Sequence, residues 1–259
     1  MSTSIPVLMY HQVARQPLPA FRKYSVAAKT FAAQMAWLAL AGYTPLTLDA
    51  VLESRAGRRS LSARPVVITF DDGFQECAEY AVPVLRARGF TAVFYLVAGL
   101  MGKTSEWLGE KGLALPLMNW ALARQLVAEG FQCGSHSLSH PHLADLSPDD
   151  CYTELQGARV LLEDNLGVPV SHLAYPYGSF SPTVRTLASE AGYQTACSVK
   201  LGLSPSDDDM LALHRVPITG HDSLLDFVVR LKTARTARET LRGRLLEPWR
   251  QATRGYGRV

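Results

Sequence analysis

Apolar and polar positions alternate in blocks along the chain. Short apolar runs of strand length occur at 5–10 (IPVLMY), 65–70 (PVVITF), 91–97 (TAVFYLV), 131–135 (FQCGS), 171–176 (SHLAYP), 194–199 (QTACSV) and 211–218 (LALHRVPI). Their β-branched and aromatic content favours strands, and the run after Pro65 reads as a strand buried on both faces. Between them lie longer stretches bounded by helix punctuation. Thr30 is a cap for a helix through Leu40 with Gly42 as its stop, and a helix over 75–88 stops at Gly89. Asn119 caps a helix ending at Gly130. Ser147-Pro148 and Ser181-Pro182 repeat one device, a capping serine followed by a proline at the first helical position, where its missing N–H costs nothing. These two helices stop near Gly167 and Gly192, and Asp222 is the cap of a final helix. Strands alternating with helices call for a parallel sheet with helices outside it. About seven such units in one domain suit a (β/α) barrel, with an open doubly wound sheet as the alternative.

The 259 residues and 47% apolar content allow one large domain with a sizeable core. Charge is uneven. Residues 230–259 hold eight Arg and one Lys against two Glu, a surplus of seven positive charges in a chain whose net charge is +3, so the remainder is mildly acidic. Cys77, Cys133, Cys151 and Cys197 form no CxxC pair and are expected as small buried thiols. No basic segment precedes a long apolar run at the N-terminus, and no stretch approaches the roughly 20 apolar residues of a spanning helix. The expectation is a cytoplasmic protein.

Candidate chemistry collects just after three of the strands. TFDDG (69–73) places Asp71 and Asp72 side by side, a costly pair unless a positive group lies beside them. A divalent cation satisfies that need: one carboxylate binds it and the other stays free as a base. The alternative is a helix cap. HSLSH (136–140) sets two histidines four apart; on one helical turn both imidazoles would point the same way, as ligation requires, the alternative being a polar loop. In a parallel barrel all strand C-termini share one face. Asp72, His136 and His140 then supply one carboxylate and two imidazoles, leaving positions for water and substrate. YPYG (175–178) falls on the same face, as an ordinary turn or as a Tyr offering a backbone N–H to an oxyanion and a ring to a sugar.

In this order and at these distances TFDDG, HSLSH and AYPYG resemble the NodB-type polysaccharide deacetylases among the carbohydrate esterases. VLMYH (7–11) and Asn119-Trp120 resemble in particular the poly-N-acetylglucosamine deacetylase branch, and the similarity spans about residues 5–230. The resemblance implies a distorted (β/α)7 barrel of the NodB homology type that removes N- or O-acetyl groups from sugars with a divalent metal, usually zinc. Carried over by position, Asp71 is the catalytic base, Asp72, His136 and His140 are the metal ligands, and the Tyr177 backbone N–H helps hold the oxyanion. Many members carry an Arg before PYG that orients the base; Ala174 stands there in this chain, and Arg215 is the candidate to reach Asp71 instead. A late LxH motif usually supplies the general acid. LALHR meets it in part through His214, and His11 at the end of the first strand is the rival. The run Asp207–Asp209 reads as a solvated loop. His11, Trp120 and Tyr177 are candidates for contact with substrate, and Trp107 is a further aromatic for sugar stacking, core packing being the alternative for both tryptophans. Residues 15–25 and 99–118 are the loops expected to shape the groove.

The expected organisation is a barrel over residues 1–230 and a basic tail over 231–259. That tail is read as a solvated helix end and arm or as a peripheral contact with anionic lipid through Leu245, Leu246 and Trp249. No nucleic-acid partner is expected, since no base-reading motif is present and the body is acidic. Two rival functions remain at this level: a related hydrolase of non-sugar amides, and a barrel that binds sugar without catalysis. No G-x-S-x-G elbow occurs, which disfavours serine hydrolase chemistry. A carboxylate with two imidazoles accepts zinc, cobalt or nickel.

Overall fold

The structure, a computed structural model, describes residues 4–241. The chain opens with β1 (Val7–Tyr10) and a small parallel pair, β2 (Gln12–Ala14) and β3 (Ser25–Ala27), before α1 (Ala28–Leu40). Next come β4 (Thr44–Pro45), α2 (Leu48–Arg55), β5 (Pro65–Phe70), α3 (Gln75–Tyr80), α4 (Val82–Arg86) and β6 (Val93–Leu96). A long loop leads to α5 (Trp120–Ala128), β7 (Gln132–Ser135), α6 (Pro148–Leu166), β8 (His172–Ala174) and α7 (Pro182–Glu190). β9 (Thr195–Leu201), β10 (Leu213–Pro217) and α8 (Leu224–Thr233) complete the described residues.

Seven of these strands close into a ring. β1 pairs in parallel with β5, from Val7↔Val67 to Tyr10↔Phe70, and also with β10 through Leu8↔Val216. The order β1-β5-β6-β7-β8-β9-β10 therefore returns on itself, with β4 a two-residue addition beside β5. The closing β1–β5 contact makes this a (β/α)7 barrel and not an open sheet. A register shift between Leu213 and Arg215, where β10 meets β9, distorts the ring.

Period-two alternation sorts the side chains. On β5, Val66, Ile68 and Phe70 join the large apolar cluster beneath the helices. Val67 joins a smaller cluster inside the ring with Val7, Val93, Tyr95, Ala174, Cys197 and Leu213. Leu48, Ala50 and Val51 of α2 belong to that inner cluster as well. The Leu48 N–H donates to Gln132 Oε1 at 2.7 Å, and Asp49 accepts from Gln132 Nε2 at 2.7 Å and from His172 Nε2 at 3.1 Å. Gln132 and His172 begin β7 and β8, so α2 stoppers the N-terminal end of the ring.

Helix punctuation is only partly as expected. Asn119, Ser147 and Ser181 cap their helices by side-chain acceptance, and Gly42, Gly89, Gly130, Gly167 and Gly192 all take positive φ near helix ends. The helix over 75–88 is broken into α3 and α4 at Ala81; Pro83 removes a backbone donor and crowds the preceding turn. α1 starts at Ala28 without a side-chain cap from Thr30. Ser223 and not Asp222 caps α8, through a capping box with Asp226; Asp222 instead accepts from the Thr219 N–H and from Arg230. All four cysteines are buried and unpaired. Among the described residues no helix is long and apolar enough to cross a membrane. Leu245, Leu246 and Trp249 of the basic tail lie outside the described residues.

Gly134 on β7 marks a close approach within the barrel. A Cβ there would lie 2.6 Å from the Tyr95 ring and 2.9 Å from the His172 carbonyl oxygen. Gly134→Ala is expected to destabilise the protein by about 1–3 kcal/mol through overpacking, read as a lower guanidinium midpoint at unchanged slope.

Candidate metal centre

The C-terminal ends of the strands open into a cleft of about 460 Å³. Asp71, the residue after β5, continues that strand's alternation and points to the barrel axis. There the Arg215 guanidinium meets it in a bidentate pair, Nη1–Oδ1 at 2.7 Å and Nη2–Oδ2 at 2.8 Å. Arg215 Nε donates to the Ser198 carbonyl at 2.8 Å, which fixes the fork in plane. Asp71 and Arg215 are 2% and 1% exposed, so each charge depends on the other. Burial pushes the Asp71 pKa up, but Arg215, with smaller help from His136 and His11, outweighs it and holds the carboxyl below its ordinary value. Arg215 is thus the cation that reaches Asp71 in a chain that carries Ala174 before PYG.

Asp72 faces elsewhere because its backbone is left-handed, φ 72°, followed by Gly73 at φ 70°. The turn brings Asp72 Oδ1 within 3.3 Å of both His136 Nε2 and His140 Nε2. Burial again raises the carboxyl pKa, and the two histidines, which donate to Asp72 from Nε2 only when protonated, reverse this and hold it far below the usual carboxylate range. His136 follows β7; its N–H donates to the Leu96 carbonyl at 2.8 Å and its ring Nδ1 donates to the Ala174 carbonyl at 2.7 Å. Because a carbonyl only accepts, that bond assigns the Nδ1–H tautomer and turns the Nε2 lone pair toward Asp72. The segment 136–140 is not a helical turn, contrary to expectation. It is a loop with Ser137 at φ 62° and His140 at φ 67°, and these two left-handed residues bring the imidazoles together.

These donors fit a divalent cation. One atom from each of Asp72, His136 and His140 lies within 4.8 Å of the others, and all three residues are buried. Burial pushes the His140 pKa below its ordinary value against the pull of Asp72, which favours the neutral ligating form. His140 Nδ1 is buried without a partner. Carboxylate oxygen with two imidazole nitrogens suits zinc, cobalt or nickel, and three protein ligands leave room for water and substrate.

Tyr177 sits at the rim at φ 57°, its ring stacked on His142 at 3.9 Å and edge-on to His140 at 4.6 Å. His11 lines the cleft; burial pushes its pKa below the ordinary value, opposed by the negative charges of Asp72 and Asp71. Loops 15–25 and 99–118 contribute Phe21, Lys23, Tyr24, Trp107 and Leu108 to the cleft wall.

Two expected residues lie elsewhere. His214 precedes the inward-pointing Arg215 on β10, so alternation directs it outward. There its Nδ1 lies 2.8 Å from Asp208 Oδ1, and it does not line the cleft. The Asp208 side chain is correspondingly only 5% exposed rather than solvated, and Asp209 pairs with Arg185. Trp120 opens α5 and packs against the outer core, away from the cleft. Trp107 takes the aromatic position instead, stacked on the His140 ring at 4.1 Å. Nothing in its loop sequence marks that placement.

The family model for polysaccharide deacetylase matches residues 58–196, a span that contains Asp71, Asp72, His136, His140 and Tyr177. The chain belongs to the polysaccharide deacetylase family. With that family it falls among the hydrolases of carbon–nitrogen bonds other than peptide bonds. Among polysaccharide deacetylases and their relatives, Bacillus subtilis YxkH is 26% identical over 215 residues, 83% of this chain and 71% of that protein. The Escherichia coli K12 poly-β-1,6-N-acetyl-D-glucosamine N-deacetylase is 36% identical over 73 residues, only 28% of this chain and 11% of that one. The solved structure of BC0361, a polysaccharide deacetylase from Bacillus cereus, superposes with TM-score 0.76 at 27% identity, over 89% of this chain and 70% of that one. The Streptococcus pyogenes deacetylase PplD, solved in complex with acetate, shares the fold at TM-score 0.78 and 23% identity, over 90% and 100% of the two chains.

Removing Arg215 from this deacetylase barrel strands a buried carboxylate. Arg215→Met is expected to lower stability by about 3–5 kcal/mol, and adding Asp71→Asn should restore most of that loss. Denaturant unfolding of the two single variants and the double variant checks the coupling.

Proposed function

We propose that the protein is a metal-dependent deacetylase that hydrolyses an acetyl group, an N-acetyl above all, on a sugar or glycan intermediate. The observation that carries this reading is the convergence of Asp72 Oδ1, His136 Nε2 and His140 Nε2 beside a second carboxylate, Asp71, that Arg215 keeps ionised. In this reading Asp72, His136 and His140 hold the cation, zinc in the first instance with cobalt or nickel as substitutes. When bound, the cation supplies Lewis-acid polarisation of a water molecule and of the acetyl carbonyl.

Asp71 accepts the proton of the attacking water at its carboxylate. Arg215 orients that carboxylate and keeps it unprotonated. The Tyr177 backbone N–H donates to the oxygen that becomes negative as the carbonyl is attacked. The leaving sugar nitrogen takes up the proton that Asp71 removed from water, with His11 as the group that relays it; His11 takes this role in place of His214, which points away from the cleft. Trp107 and the exposed Tyr177 ring offer faces for sugar stacking, with Lys23 and Tyr24 on the opposite wall.

The comparison with the Escherichia coli enzyme, named for poly-β-1,6-N-acetyl-D-glucosamine, supports an N-acetylhexosamine polymer or oligomer as substrate. We further propose that residues 1–230 form the catalytic unit and that the basic stretch 231–259 makes a peripheral contact with anionic lipid in the cytoplasm, on the strength of its positive charge alone. Sedimentation of the full chain with phosphatidylserine vesicles should be lost at high salt.

Elemental analysis is expected to find one divalent ion per chain. Acetate release from N-acetylglucosamine oligomers should stop on chelation and return with zinc. Asp71→Asn should keep the metal and lose on the order of 10²- to 10⁴-fold in turnover, whereas Asp72→Ala should lose the metal itself. Unaltered turnover in Asp71→Asn would sink the mechanism. Ring opening of small cyclic imides without acetate release would place the activity on non-sugar amides.

A further inference from the structure

The two histidines of the metal centre are joined by three residues, and that short link has to hold an unfavourable shape. Ser137 and His140 both have positive φ, at 62° and 67°, a region L-residues visit at a cost. Such a conformation persists only where surrounding bonds over-determine it. On the carbonyl side the Ala98 N–H donates to Ser137 O at 3.1 Å and the Gly99 N–H to Leu138 O at 2.8 Å. Gly99 has no room for a side chain, since a Cβ would lie 2.7 Å from Leu138 O. On the amide side Ser137 N donates to Ser135 Oγ at 3.3 Å and His140 N to Ser137 Oγ at 3.0 Å.

The two amides between them go to one side chain from a different element. Leu138 N and Ser139 N both donate to Glu154 Oε2 at 2.9 Å, and Ser139 Oγ donates to Glu154 Oε1 at 2.6 Å. Glu154 lies on α6, which comes after the histidines in the chain, and so ties the loop to a helix anchored in the outer core by Cys151, Leu155, Ala158 and Leu162.

We propose that Glu154 is a positioning residue for the metal centre: its carboxylate clamps the Leu138–Ser139 amides in the turn that presents His140 Nε2 to Asp72. The inference rests on the reading of Asp72, His136 and His140 as metal ligands. Glu154 neither lines the cleft nor belongs to the Asp72, His136 and His140 group. Its removal leaves two amides and a hydroxyl without an acceptor, and the turn relaxes toward ordinary φ with His140 carried away from the other two ligands. The requirement is for acceptor geometry rather than charge. A glutamine can give its carbonyl oxygen to both amides and turn its NH₂ to Ser139 Oγ, which accepts once the hydroxyl rotates.

The test uses the full chain and zinc alone, with the dissociation constant read by chelator competition and the visible spectrum of the Co²⁺-substituted protein as the readout of coordination geometry. Glu154→Ala is expected to weaken zinc binding about 10- to 100-fold, the usual effect of losing a group that orients a ligand, and to change the Co²⁺ spectrum. The metal-free form should keep the wild-type far-ultraviolet circular dichroism. Glu154→Gln is expected to restore most of the affinity and the wild-type spectrum, a rescue that general loss of packing would not show. Should Glu154→Ala fail to fold, Glu154→Asp, one methylene short, carries the same expectation of weakened binding. Wild-type zinc affinity in Glu154→Ala or Glu154→Asp, or a Glu154→Gln variant as weak as the alanine, overturns the clamp while leaving the metal centre standing. A wild-type chain that takes up no zinc removes the metal centre and the clamp together.

Discussion

Two carboxylates that follow one another on a buried strand end cannot both ionise unless each has its own positive partner. The structure answers this by turning them in different directions. Asp71 stays in the strand's alternation and meets Arg215 inside the ring, and Asp72 turns through a left-handed backbone to face His136 and His140. Much of the surrounding geometry serves this division. Gly73 allows the second left-handed step, and the register shift between β9 and β10 accompanies the inward course of Arg215. Loss of Arg215 leaves the buried Asp71 charge uncompensated, so the site's electrostatics and the barrel's stability are tied to the same few atoms.

The closed ring explains why residues so far apart in the chain meet. Every strand is parallel, so each loop that follows a strand emerges on the same face. Asp71 and Asp72 leave β5, His136 leaves β7 and Tyr177 follows β8. The backbone also supplies direct bonds across the ring, as where Ala174 O at the end of β8 fixes the tautomer of His136 beyond β7. Four non-glycine residues at the rim, Asp72, Ser137, His140 and Tyr177, hold positive φ. Strain of this kind concentrates where side chains must be aimed rather than merely packed.

Much of this was legible in the sequence. Strand runs such as PVVITF, the two Ser-Pro caps and the three motifs carry their own physical signals, and parallel topology then places the motifs on one face. Arg215 as the partner of Asp71 could be anticipated because the family resemblance implies an Arg before PYG, and Ala174 stands at that position in this chain. What was hidden depends on direction rather than identity. His214 and Arg215 are neighbours, and only alternation in the folded strand decides which faces in; the register shift there cannot be read from composition. Trp107 and Trp120 are equally plausible as words in a sequence, and only the path of the 99–118 loop brings the first over His140. The left-handed loop between the histidines mimics a helical i, i+4 spacing without being helical. α2 went unnoticed because a short helix with little apolar excess resembles a loop, although Thr47 caps it in the ordinary way.

α2 carries a consequence for traffic through the molecule. With Leu48, Ala50 and Val51 seated against the inner cluster, and Tyr95 and Arg215 filling the space above, the barrel is a blind well and not a tunnel. In the reaction proposed for it, the small acid cut from the sugar has no back door. It must leave past the rim where the glycan binds, so both products of that reaction share a single mouth.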